Sequence, residues 1–487
     1  MDTELVLPGT LVEAHAVIRE LWAAAQELRT AHAALVTENT ALRECMARLE
    51  ARLGQNSQNS SRPPSTDPPW TPPPPAGRLP SGRKAGGQPG HVAHQRAVLP
   101  PEQVDQLVVA WPEQCQHCGE ALPRGPGVVV AEPIRHQVSE LPPVRVAVTE
   151  YQLQRVRCPG CGEETRAGLP AGVPTGAFGP RLQAAVAGIS GRYRLSRRAV
   201  VGILADVVGA NVALGSVDAL CQDTAEALAQ PVAALEHAVR AAPVANADET
   251  SWLQANKLCW LWVVVTRWIT VFSIAPSRRG AVIKGMLGED FAGIVTSDRY
   301  QGYLWLGTLR RPLCWAHLKR DFQDLVDRGG AAKEVGQPAL TLAAQLFTAW
   351  HATRDDPSAR EDLPATMLPI QEAFRSLFET GQSNPNTKAA GLCGALLALW
   401  PALWTFVTVP GVEPTNNAAE RAVRPAVLWR KQSLGTKTEA GNQFVARLLS
   451  VAATCQQQQR SFLDYLTAVC SAQHHGQPIP SLLPFPP

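Results

Sequence analysis

At 487 residues the chain is too long for one ordinary core, and its length alone predicts roughly three domains. Hydrophobic residues make up 45% of it, which excludes wholesale disorder. A net charge of only +3 confines any basic, nucleic-acid-binding surface to local patches. Eleven cysteines would suit a secreted, disulfide-bonded protein, but the start, MDTELVLPG, is acidic and lacks a long apolar segment. Four of the cysteines form two C-x-x-C pairs, which predicts a reducing cytoplasm and one metal site.

Residues 1–53 carry the cleanest periodicity. Leu21, Leu28, Leu35, Leu42 and Leu49 recur every seven residues, with Ile18, Ala25, His32, Asn39, Met46 and Leu53 at the companion positions. These are the d and a positions of a coiled coil, and one Asn at an a position favours a parallel two-stranded register. Residues 54–100 follow as a Pro-, Ser- and Gly-rich linker; its 54–81 stretch holds neither a helix nor a core. In GRKAGGQPGH, Arg83 and Lys84 beside glycines suit a phosphate backbone or a minor groove.

Residues 101–170 contain Cys115, Cys118, Cys158 and Cys161, each pair followed by a glycine (Gly119, Gly162) that lets a thiolate knuckle turn around an ion. Four thiolates in two knuckles suit a tetrahedral, structural Zn²⁺ with no open position for chemistry. The alternation in VVVAEPIRHQV and VRVAVTEYQLQRVRC predicts strands between the knuckles, hence a zinc ribbon. Residues 171–240 read as helical. Ser196 caps RRAVVGILADVV, Gly209 ends it, and Ser216 starts a second helix, an order similar to a helix-turn-helix. Arg192, Arg194, Arg197 and Arg198 at its front are candidate DNA contacts.

After Pro243 the pattern changes to strands. VANADETSW carries Asp248; KLCWLWVVVT and ITVFSIA read as paired strands, RRGAVIKGML as a helix, and GIVTSDRYQGY as a strand ending at Asp298. A β-β-β-α-β order with one Asp in the first strand and one just after the fourth fits an α/β RNase H-like core. Its first part is residues 241–317; a helical insertion over 318–409 separates it from a second part over 410–472 and a flexible tail over 473–487. Within 389–412, Gly and Pro break an uncharged run, which therefore reads as a buried helix followed by a loop and not as a membrane span. In-line phosphodiester chemistry is helped by two Mg²⁺ ions about 4 Å apart held by carboxylates. The third carboxylate is Glu420 in EPTNNAAERAVRP, where Arg421, Arg424, Arg430 and Lys431 supply counter-charge for DNA. Each acid also has a plain structural explanation: a solvated turn at Asp248–Glu249, an ion pair at Asp298–Arg299, and a capping box Asn417-x-x-Glu420 with an Arg424 pair.

The motifs LGQNSQNSSRPPS, GRKAGGQPGH, the paired C-x-x-C, ADET, SDRYQGY, CWAHLKRDF, NNAAERAVRP and RKQSLGTKTEAGNQFVARLLS occur in one order. Through them the chain resembles the large transposase of the insertion sequence 66 family over nearly its whole length. The resemblance implies a multidomain bacterial DDE recombinase, cytoplasmic and nucleoid-associated, acting on double-stranded DNA, with Mg²⁺ or Mn²⁺ at Asp248, Asp298 and Glu420. It also implies small accessory proteins; the zipper implies a homodimer, and no membrane partner is expected. Glu249 and Thr415 are not taken as ligands. Cys314 and His317 look like half a metal site and are read as strand-end packing, with His317, Lys319 or Arg320 reaching DNA. The competing readings are a catalytically inactive, zinc-containing DNA-binding regulator and a nuclease that cleaves without strand transfer.

Overall fold

The computed structural model describes residues 10–53, 97–354 and 356–484; Arg83, Lys84 and the 54–81 linker lie outside them. The described chain divides into two compact units. One comprises the N-terminal helix, 172–194 and 220–484; the other comprises 97–171 and 195–219.

The N-terminal helix, α1, runs from Leu11 to Leu53. Ile18, Leu21, Leu28, Leu35, Leu42 and Met46 of its heptad stripe are all exposed. In the smaller unit both C-x-x-C pairs form the same knuckle. The Cys115 and Cys158 N–H groups donate to Glu120 and Glu163 at 2.8 Å, and Gly119 and Gly162 return to the cysteine carbonyls at 2.9 Å. Those glycines adopt φ of 75° and 76°, a left-handed turn that a side chain would strain. The strands around the knuckles are much shorter than the alternation predicts. Among the described residues β1 (Arg155–Arg157) and β2 (Glu164–Arg166) pair, the first knuckle has a single bridge, Gln114↔Ala121, and VVVAEPIRHQV makes no ladder. Alternation marks a chain that could be half-buried, but Val130 and Ile134 are almost fully exposed, so no core face recruits it.

Helix α2 (Pro180–Gly191) precedes α3 (Arg197–Val208). Ser196 caps α3 through the Ala199 N–H at 3.2 Å, and Gly209 ends it at φ 65°. Helix α4 begins at Leu214, two residues before Ser216, and runs to Ala227; α5 covers Ala229–Val239.

Beyond Pro243 the chain forms β3 (Val244–Gln254), β4 (Lys257–Val265), β5 (Thr270–Ala275), α6 (Gly280–Leu287) and β6 (Ile294–Thr296). The sheet order is β5-β4-β3-β6, antiparallel except for the parallel β3–β6 pair. A parallel pair needs a crossover, and β4, β5 and α6 provide it. Trp252, Trp262 and Val263 are fully buried on this sheet; burying one such side chain contributes roughly 1.5–3 kcal/mol. The outer edge of β5 is covered by α14 (Glu439–Gln457). Ser450 Oγ accepts the Phe272 N–H at 2.8 Å, while Thr454 Oγ1 accepts from Thr270 N and donates to its carbonyl, both at 3.1 Å. Side chains thereby complete an edge that a fifth strand would otherwise occupy or leave open.

The insertion starts earlier than its sequence pattern predicts, with α7 at Trp315–Arg328, followed by α8 (Gly330–Thr353), α9 (Pro357–Glu361), α10 (Leu363–Gly381), α11 (Thr387–Ala398) and α12 (Trp400–Thr408). The uncharged run is thus two helices before its loop, because Pro401 sits in the first turn of α12, where proline costs no hydrogen bond. Trp315, Phe322, Phe374, Phe378 and Phe406 fill the insertion's core, and Val244 and Ile294 of the sheet pack against it. Among the described residues no single helix is long and apolar enough to cross a membrane; α11 and α12 qualify only together, bent by 51°. Their inner faces belong to the same buried cluster. Helix α13 (Asn417–Ser433) returns to the sheet, α15 (Phe462–His474) follows, and the described segment after it is no flexible tail, since Leu482 is buried and its carbonyl accepts from Gln458 at 3.0 Å.

Candidate active site

The β3–β6 ladder ends at the pair Asn246↔Thr296. Asp248 and Asp298 each lie two residues beyond that pair, so the parallel register brings them to the same height on neighbouring segments. Asp248 remains within β3, opposite Val263 of β4. Asp298 stands in the loop after β6, where its Oδ1 accepts the Tyr300 N–H at 2.8 Å. Past it, the chain returns as a single parallel bridge, Ser297↔Leu313, which sets Cys314 at the N-cap of α7 beside the two acids' strands.

Glu420 arrives from the first turn of α13, and the start of that helix is riveted to β3. Buried Asn416 donates from Nδ2 to the Ala247 carbonyl at 2.7 Å and accepts from Asn246 at 3.1 Å. The Asn416 N–H also donates to Cys314 Sγ at 3.1 Å. The capping box expected at Asn417 is therefore not what starts the helix: Asn416 is the N-cap, and its side chain is committed to the sheet. Nor does Glu420 pair with Arg424. Its Oε1 lies 3.4 Å from His317 Nδ1 and 3.7 Å from Arg320, both on α7.

Electrostatics bind the acids into one unit. Burial, and then the charges of Glu249, Asp298 and Glu420, push Asp248 up to about 8 against the opposing help of the Glu249 N–H. Glu249 is raised as well, chiefly by burial and then by Asp298. It is neither a solvated turn residue nor free: Arg278 contacts it at 2.8 Å and the buried Tyr303 hydroxyl donates to it at 3.0 Å. Asp298 does not pair with Arg299, whose partner is Asp321 at 2.8 Å. Burial also lowers His317 and raises the Cys314 thiol to about 11. Among the described residues, Cys314, His317 and Glu420 are the group whose ligand atoms come within 4.8 Å of one another. Neither Asp248 and Asp298 nor the four knuckle cysteines belong to such a group of three or more among the described residues, although backbone N–H groups lower the thiols of Cys115 and Cys158.

The family model described as "Transposase IS66 family" matches residues 175–444, which is more than half of the chain and contains all three carboxylates. The chain belongs to the IS66 transposase family. A second model, a family of unknown function (DUF6444), matches residues 8–97. Among curated proteins, the chain is similar to the uncharacterized protein y4qI of Sinorhizobium fredii, 28% identical over 217 residues, which are 40% of this chain and 39% of that one. It is also similar to the uncharacterized protein y4hP of the same organism, 24% identical over 399 residues, 72% of this chain and 69% of that one. The chain thus spans about two fifths of the length of the first of these relatives.

The basic residues of this IS66-family chain are not equally free. Arg198, Arg421, Arg424 and Lys431 are exposed. Arg430 is not available as a phosphate contact: its guanidinium hydrogen-bonds Thr250 and Ser251 of β3, and burial lowers its pKa. Arg192 lies over the Phe462 ring at 5.2 Å, and Lys319 over Phe347 at 5.4 Å. Arg197 pairs with Asp218 at 3.2 Å, and half-buried Arg194 takes a left-handed φ of 63°. Cys314 is buried directly after the Ser297↔Leu313 bridge, consistent with strand-end packing, and it also has a place in the Glu420 cluster. Sequence reasoning also passed over Asn416, Arg278 and Tyr303. The adjacent Asn pair in NNAAER was the one visible signal for Asn416; nothing local signalled the other two.

Proposed function

We propose that the chain is a DDE-type DNA transposase with an RNase H-like catalytic core, acting on the double-stranded ends of a mobile element. The observation that carries this reading is Asp248. A buried carboxyl pushed up to about 8 by burial and by three neighbouring acids is a charge cluster in want of a cation. Asp248, Asp298 and Glu420 offer only hard oxygen ligands, which fits Mg²⁺ or Mn²⁺. When bound, such ions supply Lewis-acid stabilisation of the attacking and leaving oxygens of a phosphodiester.

The chain's own residues do the rest. Asp248 and Asp298 hold one edge of the site at matched height. Glu420 closes it from α13, positioned by Asn416, His317 and Arg320. Glu249 keeps the strand under Asp248 rigid through Arg278 and Tyr303, and exposed Arg421, Arg424 and Lys431 line up phosphates along α13. The α1 heptads make a parallel homodimer, each C-x-x-C pair supplies half of a structural Zn²⁺ site once the two knuckles close on each other, and small accessory proteins complete the machinery. Purified chain incubated with end-containing duplex and Mg²⁺ should nick and join the DNA, and Asp248→Asn should reduce both by at least a thousandfold, about 4 kcal/mol in the barrier. Full activity in Asp248→Asn would sink the assignment.

A further inference from the structure

Cys314, His317 and Glu420 come from two separate segments, the start of α7 and the start of α13, and their ligand atoms converge to within 4.8 Å. Two of those atoms are anomalous as they stand. His317 Nδ1 and Glu420 Oε1 are buried and neither has a hydrogen-bond partner, yet they face each other at 3.4 Å. Arg320, 3.7 Å from Glu420 Oε1, is too far to hydrogen-bond it, so both buried atoms keep an unmet need for a partner that a cation between them would fill. Their separation is informative. Ligands about 2.05 Å from one ion at a tetrahedral angle lie about 3.3 Å apart.

The third atom points the same way. Cys314 Sγ accepts the Asn416 N–H at 3.1 Å, which fixes the sulfur at the start of α7, and because burial holds its thiol up at about 11 only a bound cation would displace the proton. We propose that Cys314 Sγ, His317 Nδ1 and Glu420 Oε1 form a binding site for a borderline divalent ion of the Zn²⁺ class. A thiolate and an imidazole select Zn²⁺ or Co²⁺ over Mg²⁺, which favours oxygen-only ligands. The ion staples α7 to α13 and fixes one oxygen of Glu420, which therefore reaches the acid cluster of β3 and β6 in a single orientation. Three protein ligands leave a fourth position for water or for a phosphate oxygen of DNA. Arg320, 3.7 Å from the same Glu420 oxygen, also lines an open cavity beside Asp321 and Asp324, carboxylates it can turn to when the ion is present. This site is separate from the C-x-x-C knuckles and uses none of their sulfurs.

The test counts metal in the full-length chain. After gel filtration in the absence of chelator, zinc per chain is measured for wild type, Cys314→Ser, His317→Ala and Cys115→Ser. Cys314→Ser and His317→Ala should each lose about one equivalent relative to wild type. Cys115→Ser should lose a different equivalent, so that the Cys115 and Cys314 losses add in the double variant. With Co²⁺ in place of Zn²⁺, the wild-type minus Cys314→Ser difference spectrum should contain a thiolate-to-cobalt charge-transfer band. Circular dichroism establishes folding, and should Cys314→Ser unfold, His317→Ala decides the matter. Equal metal content and no cobalt difference in folded variants would overturn the site. Asp248→Asn should keep the ion whatever it does to DNA cleavage, so failure here and failure of the transposase reading are told apart.

Discussion

Asp248 makes the sharpest residue-scale prediction. Its carboxyl is held more tightly protonated in the folded chain than in the unfolded one, where 3.8 is the ordinary value. A raised folded-state pKa means that ionisation removes stability as pH climbs from near 4 to about 8. In chelator, the melting temperature of Asp248→Asn should therefore exceed that of wild type at pH 8, with each kcal/mol worth about 1–2 °C in a chain of this size, and the gap should vanish near pH 4. Saturating Mg²⁺ should raise the wild-type melting point at pH 8 and leave the variant's nearly unchanged. A flat difference across that pH range would contradict the buried, charge-opposed carboxyl. Asn416→Ala is expected to cost about 1–3 kcal/mol, because it leaves the buried Ala247 carbonyl and Asn246 without their partner. Chemical denaturation measures that cost, and cleavage should fall with it as Glu420 loses its anchor. The three acids were legible as residues in ADET, SDRYQGY and NNAAER. Asn416 was legible only as a helix start, since its true partners lie 170 positions away.

At the scale of elements, α7, which carries His317, packs closely on α8. Gly336 makes that approach: a Cβ there would stand 2.6 Å from the Phe322 carbonyl oxygen. Gly336→Ala should destabilise the chain by about 1–3 kcal/mol through overpacking, measured by denaturant unfolding. It should also reduce cleavage more than a surface control such as Gly307→Ala, whose added Cβ meets nothing. Strands β3 to β6 and helices α3 and α6 were readable because apolar runs, turn residues and caps agree there. The alternation around the cysteine knuckles predicted strands that do not form, since period-two patterning needs a buried face to act on and that unit offers little. The side-chain cover of β5 by Ser450 and Thr454 was invisible, because two polar residues on a helix look like an ordinary wet face until a strand edge is set against them.

For the molecule as a whole, the exposed heptad stripe of α1 leads to a prediction about assembly. If α1 pairs with a second copy, Leu28→Asp together with Leu35→Asp should convert dimer to monomer in light scattering, leaving the rest of the fold intact. A wild-type chain that is monomeric at micromolar concentration would remove the zipper. The sequence by itself determined the family and nominated the order of the parts and the three acids, because motifs, periodicity and knuckle glycines are local and survive without coordinates. Only the tertiary structure decided what those residues face. The β3–β6 register brings Asp248 level with Asp298, the return of α13 puts Glu420 against His317 and Cys314, and Arg430 is withdrawn from any DNA surface into the strand it supports. Spacing along a chain fixes which residues share a turn or a strand face. Which distant carboxylate, thiol and imidazole share one buried space is set by long-range pairing and packing, and there burial and neighbouring charge give each group its chemistry.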